Sequence, residues 1–115
     1  MNKAWHALAL TMGLWAAGGA LAADARGLAL ANAKACMACH QVDSRRVGPP
    51  LVEIAARYAT DASGAPDEAT MAYLAQAIRE GGRGRWGAIP MPAQPHVTPA
   101  EALELAQWIL SLQRN

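Results

Sequence analysis

The sequence predicts a single, small, all-α domain. Three observations carry that expectation. Four stretches place apolar residues at the i, i+3, i+4, i+7 spacing that lines one face of a helix. No stretch alternates convincingly between apolar and polar residues, so strands are not expected. The chain has 115 residues and shows neither a repeat nor a linker, which is the length of one domain.

The N-terminus is set aside first. Met1–Lys3 is a short polar start with one basic side chain, and Ala4–Leu21 is then apolar and small except at His6 and Thr11. The stretch closes on Ala20-Leu21-Ala22-Ala23, small residues of the kind a signal peptidase accepts. Residues 1–23 therefore read as a signal peptide cleaved after Ala22 or Ala23, leaving 24–115 as the domain. A retained membrane anchor is the rival reading, because the stretch approaches the ~20 residues of a spanning helix. Its Ala and Gly content and weak basic flanks argue against that rival. After cleavage no stable membrane insertion is expected, and Trp5, His6, Met12 and Trp15 carry no function.

The elements follow in order. The first helix is expected from Asp24, as N-cap, to the cysteines, with Leu28, Ala31 and Ala35 on one face. The second spans residues 50–59 and presents Leu51, Ile54, Ala55 and Tyr58. The third starts near Pro66, a residue tolerated in a first turn, and presents Met71, Leu74, Ala75 and Ile78. Gly81-Gly82 stops it. The fourth is the clearest: Thr98, Pro99 and Glu101 form a capping box, and Leu105, Trp108, Ile109 and Leu112 form its buried stripe. Between the third and fourth lies an irregular segment, Gly81–Val97, of the length that is usually functional or disordered.

Charge excludes one class of partner. From Asp24 onward nine basic side chains balance nine acidic ones, so no nucleic-acid partner is expected. So small a chain buries little surface and needs reinforcement of its core. The sequence offers only two cysteines for the purpose.

Those two sit in Cys36-Met37-Ala38-Cys39-His40, the Cys-x-x-Cys-His pattern that attaches c-type haem. Residues three apart lie on one side of a helical turn. Both thiols can then reach the vinyl groups along one porphyrin edge, and His40 can bind the iron from one side. Three other readings compete. A thioredoxin-like pair would need a βαβ context. A zinc site would need four ligands, for which Cys36, Cys39, His40 and His96 could be counted, although adjacent Cys39 and His40 chelate awkwardly. A disulfide closing so short a loop would stabilise little. Haem attachment fits best, and it supplies the missing core.

A second protein ligand would close the iron's sixth position and favour electron transfer over catalysis. Met37, Met71, Met91 and His96 are the candidates after the signal. Met37 lies inside the attachment loop, Met71 falls on a helix core face, and His96 reads equally as a loop histidine. Met91 stands in Ile89-Pro90-Met91-Pro92, where flanking prolines restrict the backbone to extended shapes. Spacing alone leaves two readings for it: iron ligand, or loop residue capping the core.

Cys36–His40, Val47-Gly48-Pro49-Pro50, the Trp86-Gly87-Ala88-Ile89-Pro90-Met91-Pro92 string and the Trp108 helix, taken in order, resemble the short bacterial class I cytochromes c. The likeness covers the whole chain after the signal. It is greatest to the small periplasmic kind that delivers electrons to nitrite reductases and terminal oxidases. The resemblance implies a class I cytochrome c fold of about four helices around one covalently bound haem c. Its iron would be ligated by His40 and Met91, with His96 as the main substitute. It implies that the Pro49 carbonyl accepts a hydrogen bond from His40, and that Trp86 donates its indole N–H to a haem propionate. Arg83 and Arg85 read either as propionate counter-charges or as solvated loop residues. One departure is that the first helix lacks an aromatic residue where relatives commonly carry one; Ala31 stands near that place, and Trp108 is expected to fill the gap.

The function so implied is a periplasmic, monomeric electron carrier and not an enzyme. Its partners would be a membrane cytochrome complex as donor and an oxidase or nitrite reductase as acceptor. They would be met through a transient contact at an exposed haem edge built from Met37, Ala38, Val47, Ala88, Ile89, Pro90 and Pro92. The alternatives are a haem subunit or ligand-binding sensor domain of a larger complex, and a small haem peroxidase.

Overall fold

The computed structural model describes residues 15–58 and 67–112. Among the described residues four α-helices run in chain order: α1 Trp15–Ala33, α2 Leu51–Arg57, α3 Glu68–Glu80 and α4 Pro99–Ser111. A single 3-10 turn, Cys36–Ala38, follows α1. Among the described residues the only β pairing is one isolated antiparallel bridge, Gly82 with Met91.

α4 is the hub. Its N-terminus is fixed as the sequence predicts: the Thr98 hydroxyl accepts from the Glu101 backbone, and the Glu101 carboxylate accepts from the Thr98 backbone. From there Ala102, Leu105, Ala106, Trp108, Ile109 and Leu110 are buried, and α1, α2 and α3 all pack against it. α3 brings Leu74 and Ala75 to this core, with Met71 and Ile78 beside them. It is capped by Asp67, whose carboxylate accepts from the Thr70 backbone. It stops at Gly81, which has a φ of 72° that favours glycine. The helical start expected at Pro66 lies outside the described residues.

The first helix departs from expectation in two ways. It begins before Asp24, so Asp24 lies inside α1 and is not its N-cap. The alanine-rich run ahead of Asp24 is the best of helix formers and continues the helix past it. The buried face also differs. Gly27 and Ala31 are buried, whereas Leu28 is 40% exposed and Ala35 lies beyond the helix end. The cause is Trp108. A Cβ on Gly27 would stand only 2.1 Å from Trp108 Cγ, so the indole occupies the space above that glycine. The missing aromatic of the first helix is therefore compensated by close approach at Gly27, with Ala31 buried one turn further on. No helix among the described residues is long and apolar enough to cross a membrane.

Candidate functional site

α1 ends in a tight reversal that presents the cysteines. Ala35 takes a left-handed conformation, φ 62° and ψ 19°, a region where an L-residue is strained. The 3-10 turn then begins at Cys36. The backbone N–H groups of Cys39 and His40 both donate to the Cys36 carbonyl, at 3.2 and 3.0 Å. Cys36 and Cys39 are free thiols, each partly exposed. Burial pushes the Cys36 thiol above its ordinary pKa, against a smaller opposing backbone hydrogen bond.

His40 is the one polar or charged residue among the described residues that is buried. The chain after it loops back so that Val47 and Gly48 donate to the Cys39 carbonyl, which brings Pro49 behind the imidazole. His40 Nδ1 lies 2.9 Å from the Pro49 carbonyl oxygen. A carbonyl can only accept, so Nδ1 carries the hydrogen and Nε2 keeps its lone pair. Gly48 makes this arrangement fit: a Cβ there would stand 2.5 Å from His40 Cε1.

The 81–97 segment lines the same site. Gly82 and Met91 exchange backbone hydrogen bonds of 3.0 and 2.8 Å, which pins Met91 beside the end of α3. Gly81 permits the approach, since a Cβ there would be 2.4 Å from the Met91 carbonyl oxygen. Trp86 is held from outside. The Arg57 guanidinium sits 3.4 Å from the centre of its ring and donates to the Arg85 carbonyl at 2.6 Å. Arg85 in turn lies over Tyr73, 5.2 Å from its ring centre.

Cys36, Cys39, His40, Pro49, Trp86 and Met91 all line one cleft. Its apolar walls include Leu51, Ile54, Leu74, Ile78 and Ile89, the residues that sequence nominates for a dry pocket. The empty space there amounts to about 1290 Å³, counting its open side. Two thiols, an imidazole with a free nitrogen and a thioether around a large apolar slot fit a covalently held haem. They do not fit zinc: among the described residues no three His, Cys, Asp or Glu side chains converge on a metal position. His96 instead lies on the surface, with Nε2 3.0 Å from the Lys34 carbonyl oxygen.

Of the proposed outer edge, Ala38, Val47, Ala88, Ile89, Pro90 and Pro92 are exposed, Ile89 at 64%. Met37 differs. It is half-buried and packs against the core. Sequence reasoning missed Arg57, Gly27 and the contribution of Gly48. Gly48 had a signal in its place beside Pro49-Pro50, but Arg57 had none, because its partner lies in a distant loop.

Comparison with known proteins gives a consistent result. A family model described as cytochrome c matches residues 25–113. The cytochrome c-552 of Nitrosomonas europaea is 45% identical over 113 residues, 98% of this chain and all of the relative. The cytochrome c-552 of Hydrogenobacter thermophilus is 49% identical over 84 residues, 73% of this chain and 79% of the relative. The crystal structure of wild-type Nitrosomonas europaea cytochrome c552 matches with a TM-score of 0.66 at 46% identity, over 74% of this chain and 98% of that one.

Proposed function

The chain belongs to the cytochrome c family, and from that premise we propose that it is an exported periplasmic electron carrier. In this reading Cys36 and Cys39 would attach one haem c, and His40 and Met91 would ligate its iron. The observation that supports it is the meeting of these four side chains, from two distant segments, in one apolar cleft.

When bound, the haem supplies reversible one-electron exchange at its iron. The residues supply the rest. Pro49 accepts from His40 Nδ1, so the imidazole is oriented and its Nε2 presented to the metal. The Gly82 bridge holds Met91 in the cleft, where its thioether as a ligand would favour the reduced iron and raise the potential. Trp86, steadied by Arg57, offers its indole N–H to a propionate. The leucines and isoleucines of the cleft exclude water. Two fixed protein ligands leave little to rearrange on electron transfer, which is the requirement for a carrier and not for an enzyme.

Partners are met through the exposed apolar rim of Ala38, Val47, Ala88, Ile89, Pro90 and Pro92. That patch suits a short-lived contact below about 1,200 Å², with a membrane cytochrome complex as donor and an oxidase or nitrite reductase as acceptor. The carrier works as a monomer. Replacing Met91 with alanine tests the ligand set: the variant should bind carbon monoxide in its reduced form, and unchanged binding would show that another group holds the sixth position.

A further inference from the structure

The 81–97 segment is fastened at several points, and one of them has a different character. Gly82 ties Met91 to the segment's own beginning. The Gln94 N–H donates to the Arg79 carbonyl at 3.0 Å, and Arg79 Nε donates to the Val97 carbonyl at 3.1 Å, so the downstream arm is tied to α3. Arg57 ties the Arg85 end to α2. Among the described hydrogen bonds, only those between His96 and Lys34 join the segment to the part of the chain that carries the cysteines.

That joint is reciprocal. His96 Nε2 donates to the Lys34 carbonyl at 3.0 Å, and Lys34 Nζ reaches the His96 carbonyl at 3.5 Å. Lys34 also pairs with Glu101 at 2.9 Å, so α1, the segment and the start of α4 meet at one point. Lys34 stands just before the turn that presents Cys36. We infer that His96 is a latch that closes the Met91 segment onto the cysteine-bearing segment, a positioning residue that governs how readily a small molecule displaces Met91. The inference rests on the proposed ligation by Met91. His96 itself is exposed and lines no part of the cleft, so its removal leaves the core and the ligand set intact.

The test uses the full haem-loaded protein in its oxidised form, mixed rapidly with imidazole while the weak far-red band of the sulfur–iron bond is followed. His96→Phe removes the donor, and His96→Gln retains an amide that can donate to the same carbonyl. A net hydrogen bond of ordinary strength corresponds to about three- to ten-fold in an equilibrium. Imidazole should therefore displace Met91 about three- to ten-fold faster in His96→Phe, and within two-fold of the unmodified rate in His96→Gln. Thermal unfolding, measured alongside, should fall in His96→Phe by no more than the few degrees that one such bond is worth; a larger fall, the mark of general loosening, also overturns the inference. An unchanged rate in His96→Phe, or an equally raised rate in His96→Gln, overturns the inference alone. A missing far-red band in the unmodified protein overturns the Met91 reading and the inference with it.

Discussion

Replacing Gly48 with alanine would press one methyl group into the imidazole that holds the iron. The added Cβ would lie 2.5 Å from Cε1, 2.9 Å from Nδ1 and 3.1 Å from Nε2 of His40. Ordinary contact begins near 3.4 Å, so the ring must retreat by about 0.9 Å. A shift of that size carries the 2.9 Å contact with Pro49 out of hydrogen-bonding range. Gly48 has no positive φ, so the backbone itself tolerates alanine and the cost is steric. Overpacking of a buried site costs about 1–3 kcal/mol, and the lost bond about 1 kcal/mol more. The total of about 2–4 kcal/mol lowers the Tm of a domain this size by roughly 10–30 °C. Loss of the acceptor also makes His40 a less basic ligand, which disfavours the oxidised iron and raises the reduction potential. Thermal unfolding and equilibrium redox titration of the haem-loaded variant measure both effects. A Tm within 2 °C of the unmodified protein, with the potential unchanged, would refute the steric argument.

Four other outcomes follow from the same geometry. Ala35→Gly should stabilise by about 0.5–1 kcal/mol, since relief of left-handed strain exceeds the added freedom of glycine; a lower denaturant midpoint would contradict it. Gly27→Ala should destabilise by about 1–3 kcal/mol by striking the Trp108 ring, and an unchanged denaturant midpoint would contradict it. The Glu101 carboxyl is held at about 2, below its ordinary 4.5, first by the Thr98 backbone N–H and then by Lys34. A depressed folded pKa contributes stability that is present above 4.5 and lost as the pH falls through about 2. An NMR titration should find Glu101 still ionised at about pH 3, and a midpoint near 4.5 would contradict that. Ala38→Asp or Ala88→Asp should slow electron transfer with native partners by placing a charge on the apolar rim, and an unchanged rate would move the contact elsewhere.

What could be read from the sequence followed the strength of local rules. The last helix was legible to the residue because Thr98, Pro99 and Glu101 encode its start through contacts three residues apart. The core faces of the second and third helices were equally plain from their spacing. The first helix was misjudged at both its start and its face. Its alanines are compatible with helix anywhere, and the buried side is chosen by Trp108, which lies far along the chain. The haem-binding pattern is local at Cys36–His40 and so was visible at once. The place of Met91 needed the resemblance, because it is fixed by a bridge to Gly82 that no periodicity announces. Arg57 over Trp86 and His96 on Lys34 escaped notice for the same reason: each joins residues with no shared local pattern.

The most direct test is the optical spectrum of the purified protein, recorded oxidised and then reduced. Covalent attachment through Cys36 and Cys39 with Met91 bound predicts a sharp c-type reduced spectrum and a weak far-red band in the oxidised form. A c-type spectrum without that band would contradict ligation by Met91, and a protein without haem would contradict the whole account.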